Sequence, residues 1–159
     1  TKSVDLLTYG LGNVYYESGL YEKANIAFQS IQDEQLKQDA NLMIAQGYFA
    51  QSQYKLAFVF ALTAWEKNAD DADANELMGD INLALGDAKS AQKYYDTALQ
   101  SKKTAKLLFN RGVVEMTLTQ KKNNSYFEKA KEIDATFFEN SKQRLIDIDK
   151  LLNESKEDI

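Results

Sequence analysis

The chain has 159 residues, 44% hydrophobic and 27% charged, and contains no Pro, no Cys and no His. Without Cys or His there is no zinc site, no haem or iron–sulfur ligation, no disulfide framework and no Ser-His-Asp or Cys-His catalysis, so only carboxylate, Lys or Ser chemistry remains. The net charge of −5 argues against nucleic acid as a partner, because such binders carry a basic face. Residues 1–101 hold 7 Lys/Arg against 14 Asp/Glu, whereas residues 102–159 hold 12 against 10, so the acidity belongs to the N-terminal two-thirds. No apolar run approaches the roughly 20 residues that span a bilayer. The opening Thr1-Lys2-Ser3-Val4 is unlike the start of a signal peptide.

With no Pro and only 7 Gly, the punctuation of a β-rich fold is missing and helices are expected throughout. The apolar periodicity predicts helices over 4–18 and 21–34, separated by Ser18-Gly19, and over 38–51 and 54–68, separated by Gln51-Ser52-Gln53. Helices over 72–85 and 88–101 flank Gly86-Asp87, and helices over 104–119 and 122–134 flank Thr119-Gln120-Lys121-Lys122. Beyond them, Phe137, Phe138, Ser141, Leu145, Ile148, Leu151 and Leu152 form one stripe at helical spacing, with Asp147, Asp149 and Lys150 turned away. Two readings of this stripe stand: a helix covering the flank of the preceding pair, or a partner-binding or self-associating helix. The polar stretch from Glu154 to Asp158 is expected to fray.

The helix pairs repeat. A small residue near the middle of each first helix falls at Gly12, Ala45, Gly79 and Gly112, at intervals of 33, 34 and 33. Around it recur Leu11-Gly12-x-x-Tyr15 with Ala24, Phe28 and Ile31, then Ile44-Ala45-x-x-Tyr48 with Ala57, Ala61 and Ala64, then Met78-Gly79 with Ala91, Tyr95 and Ala98. Antiparallel helices approach closely only where the crossing is lined by small side chains, so Gly12 is expected to meet Ala24, Ala45 to meet Ala57 and Gly79 to meet Ala91. The fourth unit keeps Leu108, Gly112, Phe127 and Ala130, but its turn is one residue short. Arg111 and Glu115 replace apolar positions there, Asn123 takes the place of the small Ala, and Asn82 stands in the third unit where a Tyr is expected.

Over residues 4–135 this pattern resembles the tetratricopeptide repeat family. The resemblance implies an all-α, right-handed superhelix (α-solenoid) of antiparallel helix pairs. It implies one domain over 1–159, with repeats at about 5–37, 38–71, 72–104 and 105–136 and a capping helix over 137–154. The proline that ends a typical second helix of the family is replaced by Leu36, Ala69, Lys103 and Ala135, which implies softer junctions there.

In such a superhelix the first helices line a concave face that holds an extended peptide or a helix. The groove positions of the family fall on Tyr9, Asn13, Tyr16 and Glu17, then Leu42, Met43, Gln46 and Phe49. They continue with Asp73, Glu76, Asp80 and Leu83, and with Lys106, Phe109, Asn110, Val113 and Met116. Apolar side chains at these positions suit a protein partner with apolar anchors, and the acidic middle rung suits a ligand with positive charge. Tyr16 and Phe49 have a second reading, wrapping a neighbouring helix, and the acids from Asp70 to Asp80 can equally be a solvated helix start. The branch of the family that grips the C-terminal carboxylate of heat-shock chaperones uses a cationic clamp; only Asn13 of its five positions is matched, the others being Tyr9, Met43, Asp73 and Leu77.

No catalytic, cofactor or metal site is expected. Asp71-x-Asp73-x-Asn75 begins like a calcium loop but has Glu76 where Gly is required and Asn82 where a bidentate Glu is required. The expected role is therefore a non-catalytic module that binds another protein. Resemblance to bacterial members of the family suggests an assembly complex of a pilus, a secretion system or the outer membrane, in the periplasm or as a membrane-anchored lipoprotein rather than in the cytoplasm. The alternative is a scaffold that self-assembles through its terminal helix.

Overall fold

The computed structural model describes residues 1–157, except the side chains of Leu152 and of residues 155–157. Leu152 of the expected C-terminal stripe, and Asp158 at the end of the stretch expected to fray, thus lie outside what is described. Among the described residues there are nine helices and no strand. They are α1 (Lys2–Glu17), α2 (Tyr21–Gln29), α3 (Glu34–Ala50), α4 (Tyr54–Lys67), α5 (Ala72–Ala84), α6 (Ala88–Ala98), α7 (Ala105–Thr119), α8 (Ser125–Ile133) and α9 (Ala135–Glu157). None of them is long and apolar enough to cross a membrane. Consecutive helices pack together along the chain, and each first helix also touches the next, α1 on α3, α3 on α5, α5 on α7 and α7 on α9. The result is an α-solenoid of antiparallel pairs.

Local capping chemistry sets the boundaries and corrects three of those expected. The Asp33 carboxylate accepts from Leu36 N at 3.0 Å, which starts α3 at Glu34 instead of 38 and ends α2 at Gln29 instead of 34. Leu36 consequently lies within the first turn of α3, not at the junction. Gln120, in the left-handed region at φ 61°, stops α7, and Asn124 caps α8 by accepting from the amides of Tyr126 and Phe127. Helix α8 therefore begins at Ser125 instead of 122. Asp71 caps α5 in the same way, so the apparent calcium motif is a helix start.

At the crossings an aromatic ring lies closest to the glycine in three of the four pairs. A Cβ at Gly12, Gly79 or Gly112 would run into the rings of Phe28, Tyr95 and Phe127 respectively. Each glycine thus admits the aromatic ring one turn beyond the alanine. In the second pair the exchange is reciprocal: Ala45 fills its own site and Ala61 stands where a ring would be, both fully buried in one core cluster. Burial of each such ring stabilises the fold by roughly 1.5–3 kcal/mol.

Polar ties hold the junctions that lack proline. The carboxylate of Asp5, buried on α1, accepts from the amides of Gln32 and Asp33 at 3.3 and 2.7 Å. Asn75 donates to the carbonyls of Ala69 and Asp71 and accepts from the Trp65 indole at 3.1 Å. The irregular fourth pair is compensated in kind. Arg111, only 3% exposed, bonds Asp96 at 2.7 Å and Glu115 at 2.9 Å and lies over the Tyr126 ring at 4.4 Å. Asn124, not Asn123, fills the small-residue place and donates to the Gly112 carbonyl at 3.0 Å. Asn82 is buried and donates to the Met78 carbonyl.

Helix α9 lies on α7 and α8. Phe137, Phe138, Leu145 and Ile148 pack on the cluster of Leu108, Phe109, Val113, Met116, Phe127 and Ala130, with the Phe109 ring 5.5–6.1 Å from the rings of Phe127, Phe137 and Phe138. These four members of the stripe are occupied within the chain.

Candidate functional site

The first helices α3, α5, α7 and α9 together line a groove of about 660 Å³. Its apolar wall is Phe49, Tyr54, Leu83, Val113, Ile148 and Leu151, and its polar side is Asp80, Tyr95, Lys106, Asn110, Arg144 and Asp147. Phe49 also borders a second cavity of about 470 Å³, shared with Tyr16, Gln46, Glu76, Leu77 and Lys102. A third, of about 400 Å³, lies further toward the N-terminus and is lined by Tyr9, Leu42, Met43 and Asp73 among others. The three form a row along the face built by the first helices.

Tyr16 and Phe49 sit in this row in a way that joins their two readings. Each is half-buried and leans its ring on the aromatic residue that opens its own second helix, Tyr16 on Tyr21 at 5.3 Å and Phe49 on Tyr54 at 5.4 Å. The remaining ring face borders a cavity. Burial, followed by the neighbouring Tyr21 and Glu17, raises the Tyr16 hydroxyl above its ordinary value, so it is a neutral donor at physiological pH. Tyr9 packs on Phe28 at 5.5 Å. Its hydroxyl is likewise raised, by burial and then by Asp39.

Other expected positions are placed differently. Phe109 is 0% exposed, and Val113 and Met116 are 2% exposed, because α9 lies over them; Val113 still borders the main groove, whereas Phe109 and Met116 border none of the three cavities. Glu17 is exposed and Asn13 half-buried, and neither lines a cavity described above.

The acidic rung is also not free. Glu76 is 6% exposed and is bridged by Lys102 at 2.5 Å and Lys106 at 3.2 Å, while Lys102 also reaches Asp73 at 2.7 Å. Asp80 accepts from the Tyr95 hydroxyl at 2.5 Å and from Asn110 at 3.0 Å, and pairs with Lys106 at 3.3 Å. Burial alone would lower the two lysines, but their carboxylate partners outweigh it and both are raised. Burial and then Asp80 push the Tyr95 hydroxyl far above its usual range. Two lysines thus offset most of the charge of these three acids from within the chain, which weakens the attraction they were expected to exert on a basic ligand.

Sequence reasoning missed Tyr54 and Arg144, and placed Ile148 and Leu151 on the C-terminal stripe but not in the groove. The last three had a usable signal: one further interval of 34 carries Asn110 to Arg144, Val114 to Ile148 and Thr117 to Leu151, so α9 continues the first-helix series. The Arg144 guanidinium donates to the Asn110 side-chain oxygen at 2.8 Å and lies 5.8 Å from the Phe109 ring. None of the described ion pairs gives it a carboxylate partner.

Residues 11–123 match a family described as a tetratricopeptide repeat-like domain. No curated protein matches the chain. Among solved structures, it is similar to the first TPR of Spaghetti (RPAP3) bound to the HSP90 peptide SRMEEVD, with a TM-score of 0.69 and 19% identity over 74% of this chain and 95% of that one. It is also similar to MamA MSR-1 C2, with a TM-score of 0.66 and 20% identity over 80% of this chain and 75% of that one.

Proposed function

Because the chain belongs to the tetratricopeptide repeat-like family, we propose that it is a non-catalytic module which binds a peptide or helix of a partner protein along the row of cavities on its first helices. The observation that carries this reading is the wall of Phe49, Tyr54, Leu83, Val113 and Ile148 facing a groove in which Asp80 is already paired with Lys106. Apolar anchors then supply affinity by leaving water, and the fixed hydrogen-bonding groups opposite them supply register. With Asp80 paired to Lys106, the groove selects its ligand chiefly by apolar shape. The peptide held by the RPAP3 repeat supports a protein ligand. Its acidic sequence is not carried over, since Tyr9, Met43, Asp73 and Leu77 stand at the clamp positions. The setting we assign, on the family resemblance, is a bacterial assembly complex.

A peptide library displayed on phage and selected against the full chain tests this reading. Selected sequences should converge on apolar anchors, and the best of them, measured by calorimetry, should bind Phe49→Ala and Leu83→Ala at least tenfold more weakly while circular dichroism stays unchanged. Binders unaffected by both substitutions would place the binding surface elsewhere.

A further inference from the structure

The outer face of α1 has a counterpart in every later unit. Intervals of 33, 67 and 100 residues relate Gly12 to Ala45, Gly79 and Gly112. The same intervals carry Leu7 to Ala40, Ala74 and Leu107, and Leu11 to Ile44, Met78 and Arg111. The counterparts of Leu7 and Leu11 are 7% exposed or less, covered by the second helix of the preceding pair. On α1 the residues remain large and apolar yet lie open: Val4 is 57%, Leu7 76%, Leu11 47% and Val14 61% exposed. A solenoid end facing water carries a mainly polar surface; α9 exposes Glu139, Lys142, Lys150 and Asn153 with Ile146 and Leu151 between them, whereas the open row on α1 is apolar throughout. The α1 face is built as an interface.

Its pattern specifies the occupant. Val4, Leu7, Leu11 and Val14 follow a 3-4-3 spacing, the seam of paired helices, and the row reads the same in both directions about residue 9. A second α1 laid antiparallel sets Val4 against Val14 and Leu7 against Leu11, which is the self-complementarity a two-fold interface requires. Of the residues flanking the seam, Ser3, Thr8, Gly10 and Tyr15 carry no charge and the one acid, Glu17, comes opposite Ser3 of the antiparallel copy, so apposition sets no two like charges against each other in spite of the chain's net −5. Gly10, exposed with open space around the site of a Cβ, weakens α1 without any return in the single chain; near the two-fold it allows the partner helix to come close. We propose that the chain forms a two-fold dimer through antiparallel pairing of α1 with α1 of a second copy, leaving both grooves open.

Sedimentation equilibrium on the full chain should show a mass moving from one copy to two with rising concentration. Leu7→Glu combined with Leu11→Glu should hold it at one copy with unchanged helicity. Because the chain has no Cys, oxidative cross-linking then reads the register. Val4→Cys with Val14→Cys should yield a covalent dimer, while either alone should not, since the pairing holds identical positions about 15 Å apart along the helix. A single copy at all concentrations overturns the pairing. A covalent dimer from Val4→Cys alone overturns the antiparallel register.

Discussion

The two ends of this superhelix treat the same problem in opposite ways. At the C-terminal end, α9 places Phe137 and Phe138 around Phe109 and turns a mainly polar face outward, with Ile146 and Leu151 as its exposed apolar residues. At the N-terminal end, α1 leaves Val4, Leu7, Leu11 and Val14 in the open. One pair of buried polar groups also differs, although Asp5 of α1 is bonded to the amides of Gln32 and Asp33. Arg111, near the C-terminal end, is bonded to Asp96 and Glu115, whereas Asn25 of α2, 4% exposed and facing Gly47, has neither side-chain polar atom bonded. A helical repeat thus does not define its own stability; the neighbour on each flank does.

Four substitutions would break or sharpen this contrast. The largest effect is expected for Phe109→Ala, which removes the ring at the centre of the α7–α9 cluster and should cost about 3–5 kcal/mol in chemical denaturation. Next comes a matched pair at one repeat position. Met78→Ala should cost about 2–4 kcal/mol, while Leu11→Ala, measured at low protein concentration, should stay within about 0.5 kcal/mol of the parent; equal losses would mean that α1 is covered after all. The smallest effect has the opposite sign. Asn25→Ala removes an unbonded polar group and improves helix propensity, and should raise stability by about 1 kcal/mol. A loss there would show that the amide is satisfied by bound water.

Much of this was legible in the sequence because it is periodic. Gly12, Ala45, Gly79 and Gly112, with the aromatic and Ala residues around them, give the helix count, the pairing and the family before any coordinate is known. What periodicity hides is the difference between equivalent positions. Phe49 and Met116 occupy one repeat position, yet Phe49 borders a cavity and Met116 is buried, because α9 approaches α7 with an aromatic cluster that the other first helices lack. The acids Glu76 and Asp80 looked like ligand attractors; their neutralisation required Lys102 and Lys106, which lie 26 residues away and come close only when α6 and α7 stack on α5.

The sequence by itself determined the helices, their pairing and the absence of thiol and imidazole chemistry, since these follow from side-chain identity and local spacing. Only the tertiary structure decided which apolar residues are covered and which charges are already paired. Burial and electrostatic neutralisation depend on what each neighbouring helix brings, and repeat periodicity does not encode that.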